Sequence, residues 1–191
     1  LFGSALPVTL PTTLLVAEDA FGFADENVQQ ALAPSVGGLA ALIGQRRDVT
    51  LAPQGLSVWQ RAQRVLQASE AWRTFQPWLD GHNPRLAFSV ARGLLQGSMI
   101  SDAERNAASL MRMEARARLR LLLPPGTILC LPTTPFPAPQ KGLRLHQLDP
   151  LRERIGCLTS QGGLTGVPQV NLPGATADGA PVGLSIIGAR G

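Results

Sequence analysis

Few residues in this sequence combine a reactive type with a spacing that chemistry can use. Cutting an acyl bond needs an activated nucleophile, a base to take its proton and N–H donors for the oxyanion. The chain has ten serines, two cysteines, two histidines and one lysine. The lysine, Lys141, sits in the loop-like Pro139-Gln140-Lys141-Gly142. Ser101-Asp102-Ala103-Glu104 has a hydroxyl followed three residues later by a carboxylate, so Ser101 reads as a helix cap rather than a nucleophile. Cys130 and Cys157 stand in apolar surroundings without CxxC spacing and read as buried thiols. With only His82 and His146, both in polar loop-like stretches, no metal-ligand spacing appears, and no metal or cofactor is expected.

Two segments remain as candidates for contact with a small molecule. Pro132-Thr133-Thr134 follows the apolar run Thr127–Leu131, and the end of a strand in an open α/β sheet is a common place for a ligand. Thr159 to Gly163 reads as a glycine-bearing turn whose backbone could come close to a substrate. The plainer alternatives are that Thr133 and Thr134 hold a proline-rich turn and that Gly162-Gly163 makes room for packing.

The elements that would position these segments alternate. Thr12–Ala17 reads as a buried strand, and Asp25 caps a helix carrying Val28, Leu32, Val36, Leu39 and Ile43, closed by Gly44. Pro34 and Gly37-Gly38 should kink or break it near residue 33. Val49–Ala52 is a short strand candidate. Ser57 caps a helix with Val58, Ala62, Val65, Leu66, Trp72 and Phe75 that Pro77 should end, and Leu79–Pro84 reads as a loop. The three tryptophans, Trp59, Trp72 and Trp78, read as core. A short helix over Leu86–Leu95, broken by Gly97, precedes the capped helix from Ser101 to Leu123. After the strand to Pro132 come a proline-rich loop to about Arg144 and a helix near Asp149–Cys157. Two strands follow, Gln169–Leu172 and Pro181–Gly188, joined by a turn containing Asp178-Gly179. Helices alternating with buried β runs predict an α/β layered fold.

Seventeen basic residues against thirteen acidic ones give a net charge of +4. Aromatic residues are only 5% of the chain, with no tyrosine, and no basic cluster is interleaved with stacking residues, which argues against nucleic-acid binding. Arg112, Arg116 and Arg120, spaced by four, predict a solvated helix face, and Glu114 with Arg118 an i, i+4 pair. No apolar run approaches the ~20 residues that cross a bilayer, and a cytoplasmic protein without membrane association is expected.

The wording of several of these segments is similar to one family. Gly163-Leu164-Thr165-Gly166-Val167-Pro168, then a strand, a turn and Ala180-Pro181-Val182-Gly183-Leu184-Ser185-Ile186-Ile187-Gly188, resembles the C-terminal motif of the amidase signature family. Leu131-Pro132-Thr133-Thr134-Pro135-Phe136-Pro137-Ala138-Pro139 resembles its strand followed by a proline-rich loop. The middle of the chain, including Glu70-Ala71-Trp72, Arg92-Gly93 and the helix from Ile100 to Arg120, agrees; the likeness is weakest before about residue 55.

The resemblance implies a mixed β-sheet sandwiched by helices and an amidase that releases carboxylate and ammonia or amine. Members use a lysine and two serines from a Gly/Ser-rich segment in their first half, and no residue of this sequence matches them. Residues 1–191 are therefore expected to be the C-terminal part of a single amidase domain, truncated at both ends: the chain opens on Leu1-Phe2-Gly3 and closes on Gly188-Ala189-Arg190-Gly191. Alone it should be inactive, its partner being a small amide substrate met together with the missing half. Pro132, Thr133, Thr134, Thr159, Gly162 and Gly163 are the pocket candidates. A non-catalytic interaction module and a protein like the signature-bearing component of an aminoacyl-tRNA amidotransferase are the alternatives, the lack of tyrosine favouring a stand-alone amidase. Oligomeric state is left open, a homodimer included.

Overall fold

The computed structural model describes residues 10–190; Leu1-Phe2-Gly3 and Gly191, on which the expected truncation partly rests, lie outside the described residues. Thr13–Ala17 forms β1 and Thr127–Pro132 forms β3, and these apolar runs lie at the centre of a five-stranded sheet. Gln45–Val49 is β2, Gln169–Ala177 is β4 and Ala180–Ile187 is β5, in the order β2-β1-β3-β5-β4. β1 is parallel to β2 and β3, while β5 is antiparallel to β3 and β4, so the sheet is mixed as expected.

Side chains alternate across the strands, and both faces of the sheet are covered. Leu15, Ala17, Leu129, Leu131 and Ile187 share one core with α3 (Leu56–His82), α5 (Asp102–Leu122) and α6 (Leu145–Thr165). Leu14, Val16, Cys130, Val182 and Leu184 share the other with α2 (Glu26–Ile43). The short α1 (Glu18–Phe23) links β1 to α2, and α4 (Phe88–Ser98) packs on α3. This is the α/β sandwich that the sequence predicts.

Local chemistry explains the boundaries that match expectation. Ser101 Oγ accepts from the Glu104 amide at 3.2 Å while the Ser101 amide donates to Glu104 Oε2 at 2.8 Å, a reciprocal cap that opens α5. The Ser101 hydroxyl, donating to Glu104 Oε2 at 2.7 Å, and after it the Ser101 amide hold the Glu104 carboxyl below its ordinary value. Asp178 and Gly179 both have positive φ, at 50° and 75°, the pattern of a type I′ hairpin turn between β4 and β5. Gly44, at φ 89°, closes α2.

Prolines mislead elsewhere, and for one reason. α2 runs unbroken past Pro34, α3 past Pro77 through Asp80-Gly81, and α6 past Pro150. Each proline is exposed, and so is the residue four positions earlier, Gln30, Arg73 or His146, whose carbonyl loses its helical partner. Water can satisfy those carbonyls, which reduces the cost of a proline inside a helix.

Other boundaries move as well. α3 starts from Gly55, whose φ is 104°, rather than from a Ser57 cap. α4 continues through Gly97 because a side chain there would strike the Ala68 carbonyl of α3; the glycine permits close helix packing instead of ending the helix. The second strand is the charged Gln45–Val49, not Val49–Ala52: it is a largely exposed sheet edge, where polar residues are tolerated. Leu51 and Ala52 still reach the core, but from a turn whose two amides donate to the Asp19 carboxylate at 2.8 Å each. Arg118 forgoes Glu114 and donates to the Thr50 carbonyl. Trp59 is core, whereas Trp78 is 44% exposed. Among the described residues, no helix is long and apolar enough to cross a membrane.

Candidate substrate-contact site at the end of β3

The central strand β3 delivers Pro132, Thr133 and Thr134 to its C-terminal end, beside β5. Pro132 is buried and pairs in register with Leu184, and the Thr133 amide extends the ladder by donating to the Gly183 carbonyl at 2.9 Å. Thr134 turns the other way: its hydroxyl donates to the Phe136 carbonyl at 3.0 Å and so fastens the proline-rich turn, the plainer of its two expected roles.

Thr133 belongs to a polar chain that the sequence reading did not find. Its hydroxyl donates to Asn171 Oδ1 at 2.7 Å and lies 2.9 Å from Ser185 Oγ. Since the single Thr133 hydroxyl proton goes to Asn171, the Ser185 hydroxyl is the donor in that second bond. Gln169 Nε2 in turn donates to Ser185 Oγ at 3.1 Å. The sequence runs Gln169 to Ser185 to Thr133 to Asn171, each hydroxyl both accepting and donating. Gly183 makes room for it, because a side chain there would overlap the Asn171 carboxamide.

Chemically this cluster is neutral. It can hydrogen-bond a polar group, but it holds no titratable base, and Ser185, 1% exposed, already gives its proton to Thr133. An activated serine needs a neighbouring base, and none is present in this chain of bonds. Lys141 is exposed in the segment between β3 and α6. Burial pushes the Cys130 thiol up to about 12 and raises that of Cys157, which removes both as thiolates near neutral pH. Among the described residues, no group of three or more His, Cys, Asp or Glu is gathered as metal ligands would be.

The remaining candidates separate. Thr159, Gly162 and Gly163 are not in a turn: α6 carries all three to its end at Thr165 and Gly166. The helix persists because its other side, with Cys157, Leu158 and Leu164, is buried in the core, outweighing the roughly 1 kcal/mol per glycine against alanine. Gly162 still borders the polar chain, a Cβ there standing 3.3 Å from Gln169 Oε1. Gly163 instead faces Gln63 of α3, and Thr159 is exposed, its hydroxyl spent on the Ile155 carbonyl at 3.1 Å. The structure thus brings together Pro132, Thr133 and Gly162, with Asn171, Ser185 and Gln169.

The segments that follow β1 and β3, where strand order reverses, are joined to each other and to α6. Arg154 pairs with Asp25 at 2.6 Å and lies over the rings of Phe23 and Phe136, 5.7 and 5.1 Å from their centres. The Asp25 amide donates to the Pro135 carbonyl at 2.8 Å and ties the two loops together.

A mixed sheet between helical layers, with a proline-rich loop leaving its central strand, is the α/β architecture that the resemblance of the sequence motifs implies. The chain belongs to the amidase signature family. Amidase 1 of Oryza sativa subsp. japonica is 31% identical over 137 residues, 71% of this chain and 32% of that protein. A crystal structure of an amidase superposes with a TM-score of 0.78 at 29% identity, over 98% of this chain and 44% of its own. A bacterial aryl acylamidase of the amidase signature family shares the fold with a TM-score of 0.70 at 18% identity, over 95% of this chain and 40% of that one. No protein-family model matches the chain. It spans about a third of the rice amidase's length.

Proposed function

We propose that this chain is the C-terminal part of an amidase that hydrolyses carboxamides to a carboxylate and ammonia or amine, with the serine nucleophile and lysine base supplied from outside residues 1–191. What carries the reading is one contrast: the likeness to amidases covers almost the whole chain, yet the hydroxyls gathered at the end of β3 have no base beside them. On this reading Thr133 and Asn171 contribute hydrogen-bonding wall to a substrate pocket completed by the other part, with the buried Ser185 holding Thr133 from behind. The reaction takes no metal or cofactor, and the protein works in the cytoplasm.

Ammonia release from simple carboxamides by this chain alone tests it. No rate above background is expected. A measurable rate that Ser185→Ala or another single serine substitution abolishes would place the nucleophile inside the chain and overturn the reading.

A further inference from the structure

Arg112, Arg116 and Arg120 read in the sequence as one solvated face, but they have different surroundings. Arg112 approaches Glu70 at 3.9 Å. Arg116 and Arg120 line a cavity of about 480 Å³, together with Arg190 and with Leu119, Leu123 and Thr165. Arg116 Nε donates to the Thr165 carbonyl at 3.2 Å, and the Arg190 guanidinium lies over Gly166, 3.6 Å from where a Cβ would stand. Among the described residues, no carboxylate lines this cavity and no ion pair involves any of its three arginines.

A structural role explains only part of this charge. The C-terminal ends of α5 and α6 both open here, and each helix end contributes about half a negative charge. Together that is about −1 against three guanidinium groups, leaving roughly +2 in a recess whose other wall, Leu119 and Leu123, is apolar. Guanidinium forks match tetrahedral oxyanions in charge and geometry.

We propose that this cavity is a binding site for a phosphate group, an inference that does not depend on the hydrolase reading. The group comes either as inorganic phosphate or as a monoester whose apolar part rests on Leu119 and Leu123.

Titration calorimetry of the chain at fixed ionic strength, with inorganic phosphate and with phenyl phosphate, tests this. Saturable binding with Kd below about 1 mM is expected. Equal affinities assign the site to the free ion, and a gain of about tenfold for phenyl phosphate assigns it to a monoester. Arg120→Gln, which removes no described hydrogen bond, should weaken either ligand about tenfold or more with the circular dichroism unchanged. Arg64→Gln, whose partner is the exposed Glu153 on another face, should change nothing. Absence of saturable binding, undiminished binding by Arg120→Gln, or an equal loss in Arg64→Gln would overturn the proposal.

Discussion

The two halves of α3 have the same periodicity and opposite surroundings. In the first half Leu56, Trp59, Ala62, Leu66 and Ser69 follow at spacings of three and four and are all buried between the sheet, α5 and α6. The stripe continues through Trp72, Phe75 and Trp78, but Phe75 is 49% exposed and Trp78 44%. α4 packs on α3, and between it and this distal half runs an open groove lined by Phe75, Trp78, Leu86, Val90 and Leu94. Phe88 and Met99 add to the exposed apolar surface. An amphipathic stripe expresses a demand for burial; the proximal half meets it within the chain and the distal half does not. That unmet demand agrees with the proposal that the amidase includes more chain than this.

The largest expected effect lies in the proximal half. Trp59 is 1% exposed at the junction of α3 with the sheet core, and truncating it opens a cavity that surrounding helices cannot easily close. Trp59→Ala should cost about 3 to 5 kcal/mol in urea unfolding. Trp59→Phe should cost clearly less, since the indole Nε1 is buried without a hydrogen-bond partner and its removal orphans nothing. A loss below about 1 kcal/mol for Trp59→Ala would mean that the proximal half is no better packed than the distal one.

Next in size is the joint that holds α4 on the distal half. At Gly97 a Cβ would overlap the Ala68 carbonyl oxygen and stand 3.1 Å from the Trp72 Cβ, and the backbone cannot yield as a flexible side chain would. Gly97→Val should therefore destabilise by about 1 to 3 kcal/mol. The bidentate Arg92–Asp149 pair, at 3.0 Å in both bonds, would still tether α4 to α6, so hydrogen exchange should rise in α4 and distal α3 while β1 and β3 stay protected. Uniform loss of protection would show the arm and the core to be one cooperative unit.

What the sequence revealed and what it hid follow the same division between local and distant causes. β1, β3, the α5 cap and the β4–β5 turn depend on residues next to one another: apolar runs, Ser101 with Glu104, Asp178 with Gly179. The path of the helices through Pro34, Pro77 and Pro150 depends on which side of each helix meets water, which only the packed layers decide. Thr133 was legible as a strand end, but its partners were not. Counted back from the Ala177–Ala180 pair, a regular hairpin would set Asn171 opposite Ile186. The irregularity between Pro173 and Ala175 shifts the register by one and sets Asn171 opposite Ser185, which builds the polar chain. Gly162 and Gly163 suggested a turn because glycine density is a local signal, whereas the helix they occupy is held by core contacts of Leu158 and Leu164.

The smallest expected effect is the most discriminating for the comparison. Trp78 stacks loosely on His82, with ring centres 6.0 Å apart, and its indole otherwise borders the open groove beside α4. An unpartnered side chain contributes little to folding, so Trp78→Ala should change unfolding stability by no more than about 0.5 kcal/mol, roughly a tenth of the Trp59→Ala effect at the upper end of its range. The same substitution removes apolar surface that faces water, and binding of a hydrophobic dye to the folded chain should fall. If stability instead drops by more than about 1 kcal/mol, the distal stripe is covered within this chain or by a second copy, and repeating the measurement at about tenfold lower protein concentration separates the two, since only a dimer's stability depends on concentration.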